Sequence, residues 1–140
     1  YACYKARHIF VDKSSPRKVK ATIDFARKTL QGGTSLVVFP EGARTFTGHL
    51  GVFRKGAFQL ADDLQLPIVP MTINGSFDIL PRTKGFNFVR HHKLQLLIHD
   101  PIYPTSRSAE DILAIKDQAY DAIMRGLPPH YQGYVKNDDQ

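Results

Sequence analysis

Residues 37–48 read VVFPEGARTFTG, an apolar run that stops at Pro40 and gives way to a carboxylate, a glycine and an arginine within a few positions. With the residues before it, SLVVF at 35–39 is the kind of continuous apolar run found in strands covered on both faces, which predicts a parallel or mixed sheet flanked by helices. Charges at the edge of such a core cost free energy unless something pairs with them. Glu41 and Arg44 therefore read in two ways, as partners that cap a turn or as ligand-binding groups at the mouth of a strand.

Upstream, HIFVD (8–12) is short, β-branched and aromatic, and reads as a strand followed by the turn-and-cap signature KSSPRK. Pro16 fits the first turn of a helix capped by Ser14 or Ser15, and Val19, Ile23, Ala26 and Leu30 recur on one side until Gly32 and Gly33 stop the pattern. Downstream, Phe53, Ala57, Leu60, Ala61 and Leu64 stand at helical spacing, and PIVPMTI (67–73) is a strand in which Pro70 predicts an edge or a bulge. Residues 74–88 carry turn residues without a period and read as a long loop; residues 92–103 alternate well enough for a late strand. A last helix is expected from Ser108, with Asp111 in a capping-box position and Ile112, Ile115, Ala119 and Ile123 on one side, ending at Gly126 and Pro128; the tail KNDDQ is expected to fray. Strands alternating with helices predict a layered α/β fold with a mainly parallel or mixed sheet, one domain over residues 1–140. Ligands bind beyond the carboxyl ends of such strands, which here carry Asp12-Lys13, Glu41 to Arg44, and Asn74 to Ser76.

Composition narrows the classes of function. Lys and Arg number 19 against 13 acidic residues, a formal charge of +6 that favours anionic partners such as phosphates or acidic lipids. Nucleic acid is a poor fit, because the aromatics do not interleave with the basic residues and no helix-turn-helix or zinc spacing occurs. The single cysteine, Cys3, excludes an intrachain disulfide framework and a cysteine-based zinc cluster. No run approaches the ~18 to 20 apolar residues that span a bilayer. The stretch ILPRTKGFNFVRHHK (79–93) mixes Phe86, Phe88 and Val89 with Arg82, Lys84, Arg90 and Lys93, a composition suited either to touching anionic lipid or to a solvated loop with its aromatics turned in.

Arginine presents a planar fork of donors that matches phosphate, glycine lets backbone approach a ligand closely, and an ionised glutamate accepts hydroxyl hydrogen bonds. Glu41, Gly42 and Arg44 together suit a ligand with both phosphate and hydroxyl groups. FPEGARTFTG followed by FRKGAFQLA and LPIVPMTING resembles the glycerophospholipid acyltransferase family, which includes the 1-acyl-sn-glycerol-3-phosphate acyltransferases. The order of blocks matches over roughly residues 8–82: RHIFVDK stands where the family has Gly-x-Ile-Phe-Ile-Asp-Arg, and Phe39, Pro40, Glu41, Gly42, Ala43, Arg44 and Thr45 stand where it has Phe-Pro-Glu-Gly-Thr-Arg-Ser. The resemblance implies a partial acyltransferase fold in which Phe39, Pro40, Glu41, Gly42, Arg44 and Thr45 bind the acceptor and Lys13 adds a second positive contact. Lys13 keeps the charge of the family's arginine without its bidentate geometry, and Ala43 lacks a hydroxyl.

The family's catalytic element is a histidine followed five positions later by an aspartate. The residues five beyond His8, His49, His91, His92, His99 and His130 are Lys13, Arg54, Leu96, Leu97, Pro104 and Val135, so no catalytic residue is assigned in this chain. The resemblance then implies the C-terminal, acceptor-binding part of an O-acyltransferase of phospholipid biosynthesis, truncated on its N-terminal side and inactive alone. Acyl-CoA or acyl-ACP would be the thioester co-substrate, a lysophosphatidate-like glycerol phosphate the acceptor, and no metal or other cofactor is implied. Peripheral membrane contact at the cytoplasmic face is expected. The alternative is a non-catalytic homologue or fragment that binds phosphate or acidic lipid.

Overall fold

The computed structural model describes residues 8–9, 15–82, 89 and 91–134. Lys13, Cys3, most of the expected strand at 8–12, residues 83–88, Arg90 and the KNDDQ tail lie outside them. The chain divides into two compact units, Tyr1–Val38 and Phe39–Gln140.

In the first unit, helix α1 spans Pro16–Gln31. Ser15 is its N-cap, extended in backbone, with its hydroxyl accepting the Lys18 amide at 3.4 Å, and Pro16 fills a first-turn position whose N–H would have had no helical partner. Of the expected stripe, Ala26 is buried, Val19 and Leu30 are half-buried and Ile23 is exposed. Residues 35–39, expected as a covered strand, form no ladder among the described residues, and all but Leu36 are exposed. Apolar composition alone does not make a strand; it favours one where neighbours cover it, and among the described residues no strand pairs with this run.

The second unit contains α2 (Gly56–Leu64), β1 (Met71–Asn74), a one-turn helix α3 (Ser76–Ile79), β2 (Gln95–Ile98), α4 (Ala109–Gly126) and a 3-10 turn at Pro129–Tyr131. Helix α3 lies in the segment expected as loop, because four residues are too few to show a period. Strands β1 and β2 pair antiparallel, with Met71 opposite Ile98 and Ile73 opposite Leu96. The helix-flanked sheet agrees with the layered α/β expectation, and the pairing seen among the described residues is antiparallel. A parallel return needs a long crossover, usually a helix, and α3 is too short to be one. Pro70 acts as its chemistry requires. It gives only its carbonyl, accepting His99 N at 3.0 Å, and the ladder resumes beyond it as reciprocal bonds between Ile68 and Ile102 at 2.9 and 2.8 Å.

One face of this sheet rests on α4. The buried Thr72 hydroxyl donates to Ile123 O at 3.1 Å and Asn74 Nδ2 donates to Gly126 O at 2.9 Å, so strand side chains satisfy carbonyls in the last turn of the helix. The approach is close enough that a Cβ on Gly126 would lie 2.5 Å from Thr72 Oγ1. On the other face Met71, Ile73, Leu96 and Ile98 are exposed. Leu50, Phe53, Phe58, Ile115 and Ala119 form the core between α2, α4 and the segment before α2.

The start of α4 joins α2 through two acids. Ser108 caps the helix by accepting Asp111 N at 3.1 Å. Asp111 does not complete a capping box; its carboxylate accepts the Thr105 hydroxyl at 2.7 Å and the amides of Thr105 and Ser106 at 2.8 and 3.1 Å. These bonds, the Thr105 hydroxyl foremost, hold Asp111 below the usual carboxylate range. Asp62 on α2 is buried and is pushed up, by burial first and then by the charge of Asp111. The buried site and the neighbouring acid both favour the neutral form of Asp62.

A group whose pKa falls on folding stabilises the fold above its unfolded value and loses that contribution as pH drops through its folded value. Asp111→Asn is therefore expected to lower the urea midpoint at pH 7, the loss of the negative charge and of one of the two acceptor oxygens outweighing the relief of Asp62. The gap to the unaltered protein should narrow below the ordinary carboxylate value of about 3.9, which urea melts across pH would show.

Candidate functional site

Phe39 to Gly42 make a tight turn. Pro40 presets φ at its second position, Gly42 N donates back to Phe39 O at 3.1 Å, and Gly42 takes a φ of +73° that a residue with a Cβ rarely adopts. Three bonds then fasten the turn to residues 51–54. Arg54 N donates to Pro40 O at 2.9 Å, Gly51 N to Glu41 Oε2 at 2.7 Å, and Arg54 Nε to Glu41 O at 3.5 Å. The guanidinium of Arg54 lies so near the turn that a Cβ on Gly42 would fall 2.9 Å from its Nε.

The two charged residues of the turn face different ways. Glu41 is half-buried and engaged with the Gly51 amide; burial raises its pKa, and that amide partly offsets the rise. Arg44 is exposed, its guanidinium has no partner among the described residues, and only its carbonyl is held, by Arg82 Nη1. The mutual Glu41–Arg44 pair, one of the two readings of the sequence, is not formed. Thr45 turns inward and is buried, whereas the Phe39 ring is 71% exposed. The structure thus brings together Pro40, Glu41 and Gly42, leaves Arg44 projecting beside them, and places Thr45 beneath; Lys13 is outside the described residues.

The only sign of Arg54 in the sequence is FRKGAF, two adjacent cations shortly after the turn. Both Arg54 and Lys55 are exposed. A shallow hollow of about 200 Å³ lies in the same unit, lined by Val52, Phe53, Lys116, Asp117, Tyr120 and Tyr134. Burial and then the charge of Glu41 push the Tyr120 hydroxyl up. Several histidines are held by internal partners: His49 Nδ1 lies 3.2 Å from Thr47 O, His99 Nε2 lies 2.8 Å from the Thr72 hydroxyl, and His92 faces Asp78 at 3.6 Å.

The family model described as Acyltransferase matches residues 1–74, more than half of the chain, with the Pro40–Gly42 turn and Arg44 inside the match. The chain belongs to the acyltransferase family. This acyltransferase-family chain is 33% identical over 129 residues to a probable 1-acyl-sn-glycerol-3-phosphate acyltransferase of Mycoplasma pneumoniae, covering 89% of the chain and 48% of that relative. It is 35% identical over 115 residues to a chloroplastic 1-acyl-sn-glycerol-3-phosphate acyltransferase of Brassica napus, covering 82% and 32%. The crystal structure of the 1-acyl-sn-glycerophosphate acyltransferase PlsC from Thermotoga maritima aligns with a TM-score of 0.71 at 25% identity, over 88% of this chain and 47% of that one. The acyltransferase-family chain thus spans half or less of the length of these relatives.

A Cβ at position 42 would combine an unfavourable φ with a contact against Arg54. Gly42→Ala is expected to destabilise the protein by roughly 1–3 kcal/mol. Denaturant melts would measure the loss, and Arg54→Ala in the same background should recover part of it by removing the clash.

Proposed function

We propose that the protein is an O-acyltransferase of phospholipid biosynthesis and that this chain carries its acceptor-binding part. An acyl group passes from acyl-CoA or acyl-ACP to the hydroxyl of a lysophosphatidate-like glycerol phosphate. The hydroxyl oxygen attacks the thioester carbonyl, the carbon–sulfur bond breaks, and the thiol leaves with the proton that the hydroxyl gave up. Arg44 grips the acceptor phosphate, Arg54 and Lys55 add positive charge beside the turn, and the hollow next to Phe53 and Tyr120 offers apolar surface for an alkyl chain. The observation that carries this reading is the split at the turn: the carboxylate is used internally while the guanidinium is left exposed.

Removal of the hydroxyl proton is not assigned to a histidine of this chain. None is followed by aspartate at the fifth position, and His49, His92 and His99 already have the partners described above. In this reading a His-x4-Asp element outside these residues supplies the base, and the residues present contribute binding and orientation.

Contact with a membrane is peripheral in this reading, at the cytoplasmic face. Among the described residues no helix is long and apolar enough to cross a bilayer, and Val89, His91, His92 and Lys93 are exposed. Sedimentation with vesicles should show binding that rises with the fraction of acidic lipid; equal, negligible binding to neutral and acidic vesicles would remove this part.

Acyl transfer to lysophosphatidate is expected from a version of the polypeptide extended upstream and not from the 140 residues alone. In the active version Arg44→Ala should raise the acceptor KM about ten- to hundredfold, the loss of charge-assisted bonds of roughly 1.5–3 kcal/mol, and Arg44→Lys should recover part of it. Phosphate-lipid binding by both versions with transfer by neither would favour the non-catalytic alternative.

A further inference from the structure

Within the loop after Arg44, His49 N donates to Thr47 Oγ1 at 3.4 Å and the His49 ring lies 3.2 Å from Thr47 O, and Thr45 at one end and Leu50 at the other are buried. Three residues from distant parts of the sequence grip it from outside. At its start, Arg82 donates to the Arg44 carbonyl and lies over the Phe46 ring, 4.1 Å from the centroid. At its bend, Gly48 sits at φ +80° beneath two rings: a Cβ there would fall 2.6 Å from Tyr131 Cε1 and 3.0 Å from Phe77 Cδ1. Only glycine meets both demands.

Tyr131 is itself anchored. Its hydroxyl donates to Asp78 Oδ1 at 2.6 Å, across 53 residues of sequence, and its ring meets Phe77 edge-on at 5.8 Å, His49 edge-on at 6.0 Å and His130 at 4.2 Å. The bond to Asp78 pushes the phenol up to about 12, so the hydroxyl remains a donor at any ordinary working pH. The hydroxyl binds no part of the loop. Its effect is to fix the ring against which Gly48 packs.

We propose that Tyr131, tied to Asp78, is a positioning residue for Arg44, holding the bend at Gly48 so that the projecting guanidinium stands in one place before a ligand arrives. This rests on the reading that Arg44 grips an anionic headgroup. A long arginine side chain on an unsupported loop loses more freedom on binding than one whose base is already fixed, and preorganisation is felt as affinity. The clamp therefore acts on acceptor binding through Arg44 while touching no ligand itself.

The test uses sn-glycerol 3-phosphate as the probe and calorimetry on the unaltered protein, Arg44→Ala, Tyr131→Phe and the double variant, with the thermal midpoint of each recorded. Tyr131→Phe keeps the ring and removes only the anchor; it should weaken binding about three- to tenfold. In the Arg44→Ala background the same change should cost nothing further, because a residue that acts through another is coupled to it. Asp78→Asn, which keeps an acceptor oxygen, should bind within about twofold of the unaltered protein, while Asp78→Ala should match Tyr131→Phe. Wild-type affinity in both Tyr131→Phe and Asp78→Ala would overturn the proposal, as would a loss that persists undiminished in the Arg44→Ala background. Absence of binding by the unaltered protein, or full binding by Arg44→Ala, would instead remove the assignment of Arg44 itself.

Discussion

Gly51 N donates to the half-buried carboxylate of Glu41 at 2.7 Å, ten residues back in the chain, and the rest of the site is arranged around that bond. Hydrogen bonds to charged groups contribute roughly 1.5–3 kcal/mol, enough here to offset part of the desolvation that raises the glutamate's pKa. Residues on either side of Gly51, Leu50 and Phe53, run into the core beside Phe58, Ile115 and Ala119. The bond therefore ties the Pro40–Gly42 turn to the best-packed part of the unit. Arg54 completes the attachment from the other side through Pro40 O and Glu41 O.

This arrangement separates two roles that adjacent charges could otherwise have cancelled. Had Glu41 paired with Arg44, the turn would carry no open cation; with Glu41 committed to an amide, Arg44 is available to an anion. The cost of placing a carboxylate at a core edge is offset in part by a backbone amide and not by Arg44. The family match over residues 1–74 includes this turn, and the three bonds from Gly51 and Arg54 give a physical reason for the compactness of the FPEG block.

Much of this was legible in the sequence where the signal is local. The Ser15 and Ser108 caps and the interruption at Pro70 depend on residues a few positions apart, and each appears where expected, whereas the expected stripes are met only in part, with Ile23 exposed and Phe53 ahead of its helix. The strand expected at 35–39 forms no ladder among the described residues, since an apolar run becomes a strand only with a partner beside it. The inward turn of Glu41 could not be read, since Gly51 offers no side chain to mark it as a donor. The clamp of Tyr131 on Gly48 depends on contacts between residues 83 positions apart, and no short-range pattern encodes it (131 − 48 = 83). Arg82, whose carbonyl contact is with Arg44, was equally hidden in a stretch that reads as loop.

The central claim is that an anionic headgroup binds to the Arg44 guanidinium while Glu41 stays on its backbone partner. Side-chain NMR of the isotopically labelled protein during titration with sn-glycerol 3-phosphate tests it directly. The account predicts that the Arg44 guanidinium resonance shifts and saturates with the same binding curve as the calorimetric isotherm, while the Gly51 amide keeps the strong hydrogen-bonded shift of the unliganded protein. Saturable binding that leaves the Arg44 resonance unmoved, or that releases the Gly51 amide, would contradict it.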